Sequence, residues 1–108
     1  MKKIQSENKV KNEVIQYLES KGYVVYRINN VPVPRIRNGK AFFTKFHGRK
    51  GFPDLVAFRP EYRTLFIETK RTNGKPAPEQ IEFIDLANSC PGNLAIWVDS
   101  LERLMNYF

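Results

Sequence analysis

Segments 54–58 and 64–70 each carry a short apolar run, Leu55-Val56-Ala57-Phe58 and Leu65-Phe66-Ile67, with Arg59-Pro60-Glu61-Tyr62-Arg63 between them. Runs of this length around a turn-forming stretch predict two antiparallel strands. Asp54 opens the first strand, and Glu68-Thr69-Lys70 closes the second. Because side chains alternate across a strand, Glu68 and Lys70 share one face and Thr69 takes the other. A hairpin centred on Glu61 sets Asp54 opposite Glu68, where facing Cβ atoms lie about 4.5–5.5 Å apart. Leu55, Ala57, Leu65 and Ile67 then fill the opposite face. Three ionisable groups are predicted to meet at one edge of an apolar sheet.

Facing carboxylates repel unless a cation or a shared proton intervenes. Oxygen donors without Cys or His point to Mg²⁺, with Mn²⁺ as a substitute, and Mg²⁺ commonly uses one or two carboxylates together with substrate phosphate. A lysine beside such a cation orients the attacking water or stabilises charge developing on phosphorus-bound oxygen. The chemistry this combination suits is phosphodiester hydrolysis. The plainer alternative is a strand-end ion pair between Glu68 and Lys70 with an Asp in a turn, since Glu-x-Lys by itself is common.

The charge distribution bears on the partner. Of 18 Lys and Arg and 11 Asp and Glu, none of the acids falls in residues 20–53, whereas Lys21, Arg27, Arg35, Arg37, Lys40, Lys45, Arg49 and Lys50 do. This segregation suits a polyanion, because each phosphate neutralised releases condensed counterions. A solvated basic loop, an acidic protein or a membrane face fits the charge alone equally well. Arg35, Arg37, Lys40, Lys45, Arg49 and Lys50 are the candidate phosphate contacts as a group. No base-reading motif is visible, so recognition through DNA shape and backbone is expected.

The 108 residues predict a single domain over 1–108. No stretch approaches the roughly 18 apolar residues of a membrane span, and the first residues lack a signal peptide's apolar core, so a soluble cytoplasmic protein is expected. Cys90, the lone cysteine, excludes an internal disulfide and a multi-thiolate metal site. It reads as a small apolar residue near a helix end. His47 reads as an exposed loop residue, with general-base or phosphate contact as the alternative.

Residues 6–21 predict an amphipathic helix, capped by Ser6, ended by Gly22 and presenting Val10, Val14, Tyr17 and Leu18. Stepping back along that stripe places Glu7 toward the protein body. Its simplest role is a favourable interaction with the helix dipole. Strands are predicted over 23–28, 40–46, 54–58 and 64–70, with a loop over 29–39 marked by Pro32, Pro34 and Gly39. After a loop over 72–78, a helix opens at Pro78 or Glu79 and runs to Asn88 with Ile81, Ile84, Leu86 and Ala87 as apolar positions. A strand over 94–98 precedes a last helix over 100–107, for which Asp99 and Glu102 form a capping box.

Taken in order, Ser6-Glu7, Gly22-Tyr23, Arg27-Ile28-Asn29-Asn30, Lys50-Gly51-Phe52-Pro53-Asp54, Ile67-Glu68-Thr69-Lys70 and Gln80 resemble the PD-(D/E)xK nuclease superfamily. Within it they resemble the VRR-NUC family, the virus-type replication-repair nucleases, over nearly the full chain. The resemblance implies an α/β, restriction-endonuclease-like αβββαβ core with a mixed sheet flanked by helices. It also implies a metal held by Asp54, Glu68 and the Thr69 carbonyl, with Glu7 reaching the same site. Lys70 would be the catalytic lysine and Gln80 a supporting polar residue. Glu13 is the alternative helix acid, although it lies off the apolar stripe.

A free-standing chain of this size resembles the family's viral and bacterial members, which are similar to Holliday-junction resolvases and act as homodimers on branched DNA. This implies a Mg²⁺-dependent DNA endonuclease in a bacterial or phage-infected cell, homodimeric and without a small-molecule cofactor. Phe42, Phe43, Phe46, Leu104, Met105, Tyr107 and Phe108 are apolar candidates for the dimer surface, at least half of which are expected to serve ordinary packing. The competing readings are a sequence-specific endonuclease of restriction or homing type, a DNA-binding module of the same fold without catalysis, and a basic scaffold protein. The complete acid-acid-lysine set favours catalysis.

Overall fold

Ser6 begins the first helix by accepting a hydrogen bond from the Lys9 amide at 3.2 Å. Helix α1 then runs over Glu7–Ser20. Val10, Val14 and Leu18, four residues apart and fully buried, form its inward stripe. Gly22 adopts a φ of +91°, a conformation glycine takes without strain, and the Tyr23 amide turns back to the Leu18 carbonyl at 3.1 Å. The computed structural model describes residues 3–28, 34–43 and 50–108.

Strands follow at β1 (Val24–Arg27), β2 (Pro34–Arg37), β3 (Lys40–Phe43), β4 (Leu55–Phe58) and β5 (Thr64–Thr69). Helix α2 (Pro78–Ser89), strand β6 (Asn93–Val98) and helix α3 (Leu101–Met105) complete the order. The main sheet has the order β1-β4-β5-β6, antiparallel except for the parallel β5–β6 pair. Helix α2 makes the β5-to-β6 crossover that a parallel pair requires. Leaving aside the β2–β3 hairpin, which forms a separate two-stranded sheet, this is the α/β, αβββαβ core with a mixed sheet that the family resemblance implies.

One face of the sheet presents Leu55, Ala57, Leu65, Ile67, Ile96 and Val98 to Val10, Val14 and Leu18 of α1 and to Leu104 of α3. On the other face, Phe52, Phe66 and Phe83 meet edge to face with ring centroids 5.1–6.0 Å apart. These contacts hold α2 over the β5 side of the sheet.

Several boundaries differ from the sequence expectation. Residues 34–37, expected in a loop, form β2, because Asn38 and Gly39 both take positive φ, 52° and 75°, and close a two-residue hairpin. Pro34 is tolerated at the first position of such a short edge strand. The end of the second predicted strand, residues 44–46, lies outside the described residues. The last helix is capped by Ser100 rather than Asp99: the Ser100 hydroxyl accepts from the Arg103 amide at 3.2 Å. Asp99 instead accepts from the Asn73 amide at 3.0 Å. On α2, Ile81 and Leu86 are exposed while Phe83 packs inward, because the aromatic cluster sets the helix rotation. Leu104 belongs to the core, and Phe108 packs edge to face on Tyr17 and Tyr23. Met105 and Tyr107 are exposed, no side chain is described for Phe42 and Phe43, and Phe46 lies outside the described residues.

Candidate functional site

The β4–β5 register pairs Leu55 with Ile67, Val56 with Phe66 and Ala57 with Leu65. Continued by one residue it sets Asp54 against Glu68, as the turn centred on Glu61 predicts. That turn closes with the Tyr62 amide on the Arg59 carbonyl at 3.0 Å, with Glu61 at a φ of +71°.

Asp54 is held from two sides. Its carbonyl accepts from the Ile28 amide at 2.7 Å, continuing the pairing with β1. Its Oδ2 accepts from the Thr69 amide at 3.1 Å and from the Thr69 hydroxyl at 2.8 Å. The approach to Asp54 is equally restricted. Gly51 has a φ of +99°, and a Cβ there would lie 2.2 Å from the Glu79 carbonyl oxygen. The Gly-x-Pro-Asp segment thus presses its backbone on the first turn of α2, and Pro53, buried, leads into the strand.

Glu68 is 3% exposed. Its Oε1 accepts from Gln80 Nε2 at 2.9 Å and lies 3.5 Å from Lys70 Nζ. Its Oε2 is buried and, among the described residues, has no hydrogen-bond partner. Burial first, then the neighbouring Asp54 carboxylate, push the Glu68 pKa from 4.5 up to about 7, against the opposing pull of Lys70; Glu7 adds a smaller upward push.

Glu7 reaches the same place although its side chain is exposed. Glu7 opens the first turn of α1, one step before the buried Val10 on the inward stripe. Thr72 fixes that turn: its amide donates to the Gln5 carbonyl at 3.0 Å and its hydroxyl accepts from the Gln5 amide at 2.7 Å. Carboxylate oxygens of Glu7, Asp54 and Glu68 lie within 4.8 Å of one another. Glu13, the other helix acid considered, is engaged by the Gln5 side-chain amide instead.

Three carboxylates this close, one with a buried oxygen lacking a donor, make an oxygen-rich pocket suited to a hard divalent cation. The sequence reading missed two neighbours of this pocket. Lys11 Nζ lies 3.9 Å from Asp54 Oδ2; its position one helical turn after Glu7 was the available signal. Thr72, 1% exposed, looks from sequence like an ordinary loop residue.

The predicted phosphate contacts are distributed differently. Arg35, Arg37 and Lys40 occupy the β2–β3 hairpin, with Arg37 paired to Lys40 and Arg35 to Phe42 in the register. Lys50 is exposed beside Gly51. Lys45, His47 and Arg49 lie outside the described residues. Cys90 ends α2 and is exposed, its thiol on the Leu86 carbonyl. Among the described residues no helix is long and apolar enough to cross a membrane.

No curated protein and no solved structure gives a significant match to the chain. The VRR-NUC domain profile, in contrast, matches residues 5–97, a span from the Gln5 clamp through β5 and α2 into β6 that includes Glu7, Asp54, Glu68, Lys70 and Gln80. With the αβββαβ core already in place around those residues, the chain belongs to the VRR-NUC family of nucleases.

Proposed function

We propose that this protein is a metal-dependent DNA endonuclease that hydrolyses phosphodiester bonds, acting on branched DNA such as four-way junctions. The observation that supports the reading is the convergence of Glu7, Asp54 and the buried Glu68, whose carboxylate oxygens lie within 4.8 Å of one another, with Lys70 Nζ 3.5 Å from Glu68 Oε1. Asp54, Glu68, Glu7 and the Thr69 carbonyl are the oxygen donors assigned to the cation, Mg²⁺ or Mn²⁺ in its place. Bound there, the cation supplies Lewis-acid charge for the phosphodiester and makes a water easier to deprotonate.

The chain's own groups divide the remaining work. Thr69 holds Asp54 through two hydrogen bonds to one oxygen and so fixes the carboxylate's direction. Gln80 holds Glu68 through Oε1. Lys70, close to Glu68, carries the positive charge that stabilises a developing oxyanion and orients the attacking water. The β2–β3 hairpin and Lys50 supply cations for the DNA backbone, with Lys45 and Arg49 assigned to the same surface. A homodimer would present two such sites, one for each strand cut at a junction, in the cytoplasm of a bacterial or phage-infected cell.

The test is cleavage of a labelled four-way junction beside a linear duplex of matching sequence, with Mg²⁺, Mn²⁺ or chelator. Wild type should cut the junction preferentially and only with metal. Asp54→Asn and Lys70→Ala should bind DNA and fold but not cut. Cutting of both substrates alike would remove the structural selectivity, and DNA binding without any cutting would favour a non-catalytic module of the same fold.

A further inference from the structure

Among the described residues, the three site carboxylates face two ammonium groups: Lys70 beside Glu68 and Lys11 beside Asp54. Lys11 comes from α1, one helical turn after Glu7, and its side chain is 20% exposed against 21% for Asp54. A partly exposed ion pair as long as 3.9 Å contributes little to stability. The placement instead follows from the charge balance. Without a divalent cation, the two lysines offset much of the carboxylate charge. Adding two positive charges leaves the cluster with one positive charge in excess, which the single negative charge of a phosphodiester neutralises.

Lysine suits such an exchange, since its ammonium is a compact charge on a flexible stem. Asp54 does not depend on it for position, because Thr69 already donates twice to Oδ2. The next residue, Asn12, accepts from Arg27 Nη2 at 2.6 Å, so α1 also holds a cation from the end of β1. Lys70, by contrast, is tied to the strand that bears Glu68.

We propose that Lys11 is a substrate-contacting residue of the site: it pairs with Asp54 in the metal-free protein and moves to a phosphate oxygen of the DNA when a divalent cation occupies the carboxylates. This deepens the nuclease reading and rests on it. It assigns opposite effects to a single side chain, hindering the metal and helping the reaction.

Lys11→Met keeps the apolar stem and removes the charge, and Lys11→Arg restores the charge. Mn²⁺ binding to the DNA-free proteins, followed by electron paramagnetic resonance, should tighten about threefold in Lys11→Met through removal of the nearby positive charge, and stay near wild type in Lys11→Arg. With metal and DNA both saturating, kcat for junction cleavage should fall about tenfold or more in Lys11→Met and recover in part in Lys11→Arg. Thermal midpoints of the three proteins should agree. Unchanged Mn²⁺ affinity overturns the pairing, and unchanged kcat overturns the phosphate contact. Weaker Mn²⁺ binding with a lowered midpoint shows a purely structural lysine and also overturns it. In each of these cases wild type still cuts, so the nuclease reading survives; a wild type that cuts no DNA with either metal removes both.

Discussion

Gln80 joins the start of α2 to Glu68: its Nε2 donates to Glu68 Oε1 at 2.9 Å while its Oε1 accepts from the Ala77 amide at 2.7 Å. Ala77, at the N-cap, has no side-chain acceptor of its own, so Gln80 makes the only side-chain half of the capping arrangement that chemistry allows here. The same amide therefore satisfies a helix terminus and orients a buried carboxylate.

Replacing Gln80 with Ala should cost about 1–2 kcal/mol of stability, because the cap and the hydrogen bond to Glu68 both disappear. Gln80→Glu retains an acceptor for the Ala77 amide but sets a further carboxylate against Glu68, beside Asp54 and Glu7. It should therefore approach wild-type stability in acid and fall behind as the pH rises. Urea unfolding of both variants at several pH values checks this, and parallel curves for Gln80→Glu and wild type would contradict it.

Gly51 should tolerate no side chain. Alanine there would combine a positive φ with a backbone clash that no rotamer relieves, 2.2 Å from the Glu79 carbonyl oxygen. Gly51→Ala should lower stability by about 2 kcal/mol or more and displace the Pro53-Asp54 segment from α2. Gly39→Ala is the control: it also carries a positive φ, 75°, but a Cβ there meets nothing within 4 Å. Its cost should be about 1 kcal/mol, from backbone strain alone. Equal destabilisation of the two variants would show that the close approach to α2 is not what fixes Gly51.

Much of the site was legible because strand alternation and turn position are local rules. With Glu61 as the hairpin centre, the Asp54–Glu68 pairing follows, and the register agrees. The missed features depend on tertiary placement. Thr72 matters because its backbone and hydroxyl meet Gln5, 67 residues away, and no periodicity encodes that meeting. The α2 face was misjudged because Ile81 and Leu86 are apolar by type, yet Phe52 and Phe66 select Phe83. The β2–β3 hairpin had a readable signal in Asn38-Gly39, a pair that favours the positive φ values of a two-residue turn. Neighbouring prolines pointed to a loop and obscured it.

The β2–β3 hairpin should govern affinity more than specificity. Arg35, Arg37 and Lys40 sit within two strands of four residues each, and charge on so short an element suits contact with a phosphate backbone. Changing the three to Gln should weaken binding of every DNA tested. On duplex DNA the slope of log affinity against log salt should flatten by about 0.9 for each phosphate that is no longer neutralised. An unchanged slope would move the DNA surface elsewhere.

The titration of Glu68 should be visible in stability. Folding raises its pKa from 4.5 to about 7, chiefly through burial. A carboxyl raised in this way binds its proton more tightly in the native state than in the unfolded chain. The native state is thus favoured most below the unfolded value of 4.5 and loses that advantage as the pH climbs through about 7. The loss is on the order of 3 kcal/mol at most. Glu68→Gln carries no such proton, so in chelator its stability relative to wild type should rise between about pH 5 and pH 8 and level off above that. Groups that titrate alike in both proteins cancel from the difference. Metal should reverse the trend for wild type alone, because a cation stabilises the ionised carboxylate, and its stabilising effect should strengthen across the same interval. Urea midpoints measured with and without Mn²⁺ give both curves; a flat difference between the two proteins in chelator would mean that Glu68 ionises in the folded chain as it does in the unfolded one.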